Sequence, residues 1–246
     1  MLNGFSLLVG LGASLGLWQV TRRAPPDTAL VRVHAGLIVL AGSLAGSRLG
    51  FVMLHAAYYR SQPLEILQVG LDGLSWVGAL AGGLLAILAL SRCRHTPFAE
   101  LADNLAPLVA PLAVFTWLGC WQAGTAYGAT VPAGTLWSVP VRGEDGIFND
   151  HLPLQLLAAL SALVYFCWLE WKASIRSIAG WRASLTGVGL AANLLLFSSL
   201  RVDPAPTIAG VRLEVWAALV LMIAALAALR SIWKSTGTKP CQQPCD

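Results

Sequence analysis

The sequence predicts an all-α integral membrane protein with about seven transmembrane helices, and two observations lead to that prediction. Of the 246 residues, 57% are apolar and only 11% are charged, which is more apolar surface than a soluble core of this size can bury. The charged residues also cluster in short stretches. The apolar segments between them approach the roughly 20 residues that a helix needs to cross a bilayer.

Apolar segments set the seven predicted spans. They are centred on residues 4–20, 33–57, 77–91, 105–122, 152–169, 183–200 and 213–229. We find no soluble catalytic module between them, so residues 1–233 are interpreted as a single transmembrane domain. Residues 234–246 are polar and contain Pro, and we expect them to form a flexible cytoplasmic tail.

Two connections between the spans are unusually long. Residues 58–76 alternate apolar and polar residues on a short helical period, which is typical of an arm that lies in the membrane interface. Residues 123–151 carry Gly, Pro, Trp and acidic residues without sustained periodicity. We therefore expect a small outer head there, without regular helix.

Basic residues orient the predicted bundle. Eleven of them fall on one side, namely Arg22, Arg23, Arg32, Arg92, Arg94, Lys172, Arg176, Arg182, Arg230, Lys234 and Lys239. The other side receives four, namely Arg60, Arg142, Arg201 and Arg212. Because cytoplasmic loops carry an excess of Lys and Arg, the N-terminus is expected outside and the C-terminus in the cytoplasm. The basic residues stand singly or in pairs at segment ends, so the net charge of +4 does not indicate nucleic-acid binding.

Arg48 is the most informative single residue, because it lies inside the apolar run LAGSLAGSRLGFVML. An uncompensated charge at such a depth is costly. No acidic residue in the flanking membrane segments can pair with it, so we expect the guanidinium to bind an anionic lipid phosphate. The alternative is an Arg near a helix end that extends its side chain to the interface.

A second cluster is the sequence WLGCWQAGTAYG, residues 117–128. Its three glycines would let the backbone approach a ligand closely, and its Trp and Tyr side chains are typical of the membrane interface. The same composition also suits an aromatic belt with glycine packing, and both interpretations stay open.

A third group surrounds His151 at the start of the fifth predicted span. Asp150 could serve as the helix N-cap, and Gln155 could form an interhelical hydrogen bond, which would make both residues structural. The sequence has no recognisable catalytic-triad order, metal-ligand spacing or phosphate loop, so we expect neither a metal nor a cofactor.

The five cysteines are scattered. Cys93, Cys120 and Cys167 lie in or beside apolar segments, and Cys241 and Cys245 lie in the tail. An isolated Cys in an apolar helix usually packs as a small hydrophobic residue. Thiol transfer across the membrane to a thioredoxin-like partner remains an alternative function.

Several stretches of the chain, taken in order, resemble the prolipoprotein diacylglyceryl transferase family. They are GSRLGFV at 46–52, GLSWVGALAG at 73–82, the cluster at 117–128, PLQL at 153–156 and FSSLRVDP at 197–204. Members of that family move a diacylglyceryl group from phosphatidylglycerol to the thiol of a lipoprotein precursor. The resemblance therefore implies a bacterial inner-membrane protein with phosphatidylglycerol and a lipoprotein precursor as partners.

The resemblance also implies a substrate-binding set. The surviving residues assigned to it are Arg48, Ser75, Gly78, Gly119, Gly124, Tyr127, Gly128 and Gln155. Cys120 and Arg201 also match the family pattern.

Several reactive positions of the family pattern are replaced. Val77 stands where the family has a His, and Trp117 stands where its signature begins with an Arg. Near the last segment, Leu194 and Ser198 stand for an Arg and a Glu. The family's signature acid, trailing basic residue and Tyr-Glu pair are replaced by Thr125, Ala129 and Leu157-Ala158.

These replacements predict a lipid-binding protein that is catalytically impaired or repurposed. Diacylglyceryl transfer needs cations that stabilise a phosphate leaving group and a base that accepts the thiol proton, and Val, Trp and Leu supply neither. The alternative is an active transferase that uses substitute residues, for which His151, Arg201 and Cys120 are the candidates.

Overall fold

The computed structural model describes residues 4–67, 73–132, 134–142, 148–173 and 178–237. The α-helices of these ranges are α1 (Gly4–Arg23), α2 (Ala29–Leu54), α3 (Ala56–Ser61), α4 (Trp76–Arg94), α5 (Phe98–Leu105), α6 (Val109–Gln122), α7 (Leu154–Ala173), α8 (Trp181–Leu200) and α9 (Leu213–Gly237). Two short 3₁₀ helices span Pro63–Leu67 and Ala106–Leu108. The strands are β1 (Val139–Arg142), β2 (Phe148–His151), β3 (Thr207–Ile208) and β4 (Val211–Arg212).

Seven segments of the described chain are long and apolar enough to cross a membrane. They match the seven predicted spans, which confirms the all-α membrane class. The fourth span, Phe98–Gln122, is built from α5, a 3₁₀ turn and α6. Pro107 and Pro111 lie at this break, where each removes a backbone donor and disfavours continuous α-helix.

The two strand pairs lie in connections between spans. β1 pairs antiparallel with β2 inside the predicted head, and β3 pairs antiparallel with β4 between α8 and α9. Asp150 belongs to β2 and is therefore not the N-cap of α7, which begins at Leu154. Its carboxylate instead accepts a hydrogen bond from the backbone N–H of Gly134 at 3.3 Å.

The predicted arm, head and tail are only partly covered. Within the arm, the structure describes α3 and the 3₁₀ helix, whereas residues 68–72 lie outside the described ranges. The same is true of residues 133 and 143–147 of the head. Helix α9 continues to Gly237, and the rest of the predicted tail, residues 238–246, lies outside the described chain.

Helices α2 and α4 approach each other closely enough for backbone contact. A Cβ atom added to Gly46 would lie 2.5 Å from the carbonyl oxygen of Gly78 and 2.7 Å from the Cα atom of Gly82. Small residues at such crossings let membrane helices pack through their backbones. This contact places the start of α4 beside Arg48.

A buried apolar cluster joins α6, α7, α8 and α9. We call it the Trp117 cluster, and its buried members are Trp117, Ala126, Leu154, Ala158, Ala159, Leu194, Phe197 and Ala218. It lies where α6 and α8 end and α7 begins, next to the loop that carries residues 123–128.

Candidate functional site

Arg48 is bound by backbone carbonyl groups of the arm. Its Nε donates to the carbonyl of Ile66 at 3.0 Å, its Nη2 to that of Glu65 at 2.6 Å and its Nη1 to that of Gly73 at 3.3 Å. The residue is 7% exposed. Three backbone carbonyls therefore bind this guanidinium, and the binding of a lipid phosphate to Arg48 stays a prediction.

Ser75 and Gly78 lie beside Arg48 at the start of α4. The backbone N–H of Ser75 donates to the carbonyl of Ser47 at 3.1 Å. The Ser75 hydroxyl caps α4 by accepting from the backbone N–H of Gly78 at 3.3 Å. These retained residues join two helices, and their role in substrate binding stays a prediction.

The second group of retained residues forms one loop after α6. Gly124 has a φ of +66°, which suits glycine and turns the chain away from the helix. The side-chain amide of Gln155 donates to the carbonyl of Thr125 at 2.6 Å. Gln155 thus binds a loop carbonyl rather than another helix. The backbone N–H of Val202 donates to the carbonyl of Tyr127 at 3.1 Å, which links the loop to the end of α8.

His151 lies against the same loop. The side chain is buried, its Nδ1 is 2.9 Å from the carbonyl oxygen of Gly128, and its ring centroid lies 4.4 Å from that of Tyr127. A hydrogen bond to that carbonyl requires the proton on Nδ1. His151, Tyr127, Gly128 and Gln155 are therefore brought together, whereas Arg48 belongs to a separate group.

Gly119 and Cys120 lie in the last turn of α6, directly before that loop. A Cβ atom at Gly119 would lie 2.8 Å from Cδ2 of Phe5, so this glycine is used for packing against α1. The carbonyl of Cys120 accepts from the backbone N–H of Thr125 at 2.9 Å. Cys120 thus contributes its backbone to the loop.

The described cysteines form no disulfide. Cys93, Cys120 and Cys167 are free and stand on three different helices, α4, α6 and α7. Cys241 and Cys245 lie outside the described residues. Transfer of thiols to a thioredoxin-like partner gains no support from this arrangement.

Arg201 lies in a compact group of four charged side chains. Its guanidinium binds Asp203 at 2.5 Å and Glu214 at 3.1 Å, and Arg212 binds the same two carboxylates at 3.3 and 3.5 Å. Burial by itself would lower the pKa of Arg201, but the hydrogen bond and charge of Asp203 and the charge of Glu214 outweigh it and raise that pKa. Arg201 therefore stays charged, with its guanidinium held by carboxylates of its own chain.

Three positions that depart from the family pattern, Trp117, Ala158 and Leu194, belong to the Trp117 cluster. The indole N–H of Trp117 donates to Oδ1 of Asn193 at 2.9 Å, and its ring lies 6.0 Å from that of Phe197. Leu194 is buried and Ser198 is fully buried. Apolar packing thus occupies the space around three replaced positions.

A lateral groove, which the sequence does not predict, opens along α7. Its volume is about 700 Å³, and its lining residues are Leu157, Leu160, Ser161, Val164, Tyr165, Trp168 and Phe197. The Tyr165 hydroxyl donates to the carbonyl of Leu185 at 2.7 Å, so its polar end is already satisfied. Nothing distinguishes these residues in sequence from an ordinary lipid-facing helix surface.

The opposite end of the bundle holds a further contact that was missed. Asp103 on α5 accepts from the backbone N–H groups of Gly180 at 2.7 Å and Ala183 at 2.6 Å. It therefore caps the N-terminus of α8 from a different helix. The side chains of Arg23 and Glu170 form an ion pair that joins the C-terminal ends of α1 and α7.

Comparison with known proteins assigns the chain to a family. The sequence model of the family described as prolipoprotein diacylglyceryl transferase matches residues 1–231. Three curated relatives carry the name phosphatidylglycerol–prolipoprotein diacylglyceryl transferase. They come from Nitratidesulfovibrio vulgaris strain Miyazaki F, Rhodospirillum rubrum and Parasynechococcus marenigrum.

The three relatives differ in how much of each chain is aligned. The first is 34% identical over 60% of this chain and 55% of its own length. The second is 35% identical over 66% of this chain and 60% of its own length. The third is 28% identical over 82% of this chain and 77% of its own length. This chain thus spans little more than half the length of the first relative. With a match over nearly its whole length, the chain belongs to the prolipoprotein diacylglyceryl transferase family, as a multi-pass protein of the bacterial inner membrane.

Proposed function

We propose that this protein binds phospholipid on the scaffold of its family and is impaired in diacylglyceryl transfer. The observation that supports impairment is the Trp117 cluster. Where the family pattern has Arg, Arg and Glu, this chain has Trp117, Leu194 and Ser198. All three are buried, and the first two belong to the Trp117 cluster. None of these three side chains can stabilise a phosphate leaving group by charge.

The substitute residues are engaged elsewhere. The Arg201 guanidinium is held by Asp203 and Glu214, and His151 is buried against the carbonyl of Gly128. An arginine that stabilises a phosphate in the transition state needs N–H groups directed at that phosphate. These bonds favour structural roles for both residues.

Lipid binding is supported by the groove along α7. Its lining is almost entirely apolar, and the hydroxyls of Ser161 and Tyr165 donate to backbone carbonyls within the bundle. Such a surface suits a hydrocarbon chain, because no polar group is left unpaired by its arrival. The names of the relatives indicate phosphatidylglycerol as the lipid and a prolipoprotein as the second partner.

We also propose that the N-terminus lies outside and the C-terminus in the cytoplasm. Eleven basic residues against four support this orientation. A reporter fused after Asp246 should report the cytoplasm, and one inserted near Gly143 should report the outer side. The reverse pattern would exclude the proposed orientation.

The deciding experiment is complementation of a bacterial strain depleted of its own transferase. This protein should not restore growth, and the purified protein should not transfer diacylglyceryl groups to a lipobox peptide. An intact family member provides the positive control, and membrane localisation of a tagged copy shows that the protein is made. Growth at the level of that control would establish an active transferase that uses other residues.

A further inference from the structure

The contacts of Arg48 reach two separate parts of the arm. Glu65 and Ile66 lie in the 3₁₀ helix, whereas Gly73 lies in the stretch that returns to α4. The three carbonyls therefore flank residues 68–72, which lie outside the described ranges. A single side chain of α2 therefore binds the described parts of the arm on both sides of residues 68–72.

The 3₁₀ helix gives a physical reason for the first two contacts. Glu65 and Ile66 lie in its last turn, where carbonyl groups have no partner within the helix. A cation at this end also interacts favourably with the helix dipole. Arg48 supplies both the donors and the charge.

Two aromatic rings also pack against the guanidinium of Arg48. Its central carbon lies 5.3 Å from the ring centroid of Tyr59 and 6.0 Å from that of Phe51. Gly73 has a φ of +88°, and a Cβ atom there would overlap the Phe51 ring. Glycine thus suits position 73 for two reasons, the positive φ and the lack of space for a side chain.

We propose that Arg48 is a positioning residue that holds the described parts of the arm, residues 58–67 and 73–76, against the ends of α2 and α4. It influences lipid binding through the placement of the arm and not by direct contact with the headgroup. The lipid part of this inference rests on the proposed function, whereas the placement of the arm can be tested alone.

Hydrogen–deuterium exchange in lipid nanodiscs tests the placement. The reporter is the peptide that contains Ser75, whose backbone N–H is bonded to Ser47. Arg48→Leu should accelerate its exchange by at least about tenfold, because hydrogen bonds to a charged group are lost. Arg48→Lys should give an intermediate rate, since one ammonium group cannot reach three carbonyls in fork geometry.

Two further variants separate positioning from direct binding. Gly73→Ala keeps the Arg48 side chain and should accelerate the same exchange, because a Cβ atom there would overlap the Phe51 ring. Arg60→Leu removes an exposed positive charge from the same arm and should change nothing. Peptides containing Gly128 and Val131 of the head should exchange at the parent rate in every variant, which shows that the fold is retained.

Lipid retention is then measured by native mass spectrometry with phosphatidylglycerol. Arg48→Leu and Gly73→Ala should lose retained lipid to a similar extent. Unchanged arm exchange in Arg48→Leu would overturn the proposal, as would full lipid retention in Gly73→Ala combined with loss in Arg48→Leu. If the parent retains no phosphatidylglycerol, the proposed function fails, and the exchange rates still decide whether Arg48 positions the arm.

Discussion

The arm and the Trp117 cluster differ in which residues of the family pattern they keep. Around the arm, Arg48, Ser75 and Gly78 of the pattern are kept, although Val77 replaces its His. The three kept residues join backbone segments of α2, α4 and the arm. In the Trp117 cluster the pattern's charged residues are replaced, and Trp117 and Leu194 are buried in apolar packing.

This difference teaches that a kept motif can reflect geometry rather than chemistry. The hydrogen bonds described above for Arg48, Ser75 and Gly78 all involve backbone atoms, which any member with the same chain path would need. Such bonds to the backbone form whether or not the protein turns over a substrate. The retained segments therefore support a shared fold more strongly than a shared reaction.

The largest expected effect concerns the α2–α4 contact. Gly46→Leu places atoms where the Gly78 carbonyl and the Gly82 Cα atom already lie, so the two helices must separate. We expect loss of folded protein, because overpacking against backbone cannot be relieved by side-chain rotation. Fluorescence-detected size-exclusion chromatography in detergent measures the yield of monodisperse protein.

Gly10→Leu is the matched control for this variant. Gly10 also lies in a membrane-spanning helix, but a Cβ atom there would meet nothing within 4 Å. Its yield should equal that of the parent. Equal yields for both variants would show that the α2–α4 contact does not hold the arm region together.

The second prediction concerns the Trp117 cluster. Trp117→Ala should destabilise the protein by about 4 kcal/mol, because it removes a large buried ring and leaves a cavity. Trp117→Phe keeps apolar contact but leaves Oδ1 of Asn193 without its donor, which should cost about 1 kcal/mol. Unfolding in mixed micelles measures both values.

Trp137→Ala serves as the control, since Trp137 is 77% exposed. Its effect should stay within about 0.5 kcal/mol. A Trp117→Ala variant as stable as this control would mean that the cluster is not a packed core. The contrast between the two regions would then disappear.

Sequence alone predicted the spans but not the contacts that join them. Hydropathy reports the lipid environment residue by residue, so the seven helices follow from local composition. The partners of Trp117 and Asp103 lie 76 and 77 residues away along the chain. No local pattern encodes such pairs.

The partners of Arg48 were missed for a different reason. They are carbonyl groups, which every residue carries and which leave no trace in the sequence. Because no acidic side chain is available in the flanking spans, the sequence predicts a lipid phosphate as the partner instead. The bonds of Gln155 and His151 to loop carbonyls likewise join residues that are distant in the sequence, so they follow only from the fold.

The third prediction tests the partner of Arg201, a residue that matches the family pattern and directly follows α8. Asp203 accepts hydrogen bonds from both Arg201 and Arg212. Asp203→Asn leaves two partly buried guanidinium groups with one carboxylate, and we expect a loss of about 3 kcal/mol. Asp27→Asn, at an exposed position, should have little effect.

Lipid retention adds a second measurement to the same pair of variants. If Arg201 were available as a phosphate ligand, freeing it from Asp203 would increase retention of phosphatidylglycerol. We expect no increase, because Glu214 and the arginine's own packing still hold the guanidinium. An increase would return Arg201 to the candidate reactive residues.

The smallest expected effect is a titration at the surface of the arm. The hydroxyl of Tyr58 donates to Oε2 of Glu65 at 2.7 Å, and this hydrogen bond, with the nearby negative charge, raises the pKa of Tyr58. Tyr58 should therefore ionise at a higher pH than the value near 10 of a free tyrosine. The protonated phenol is favoured in the folded arm, so the stabilisation is present at neutral pH and is lost as the pH rises through the raised pKa.

Absorbance at 295 nm measures this ionisation, and subtraction of the Tyr58→Phe curve isolates Tyr58 from the other tyrosines. Glu65→Gln should move the midpoint back toward 10, because the carboxylate acceptor is gone. Arg48→Leu should move it in the same direction, since a released arm no longer holds Glu65 beside Tyr58. If Glu65→Gln lowers the midpoint and Arg48→Leu does not, the hydrogen bond between Tyr58 and Glu65 forms without the hydrogen bonds of Arg48. The family residues kept around the arm would then not order that surface.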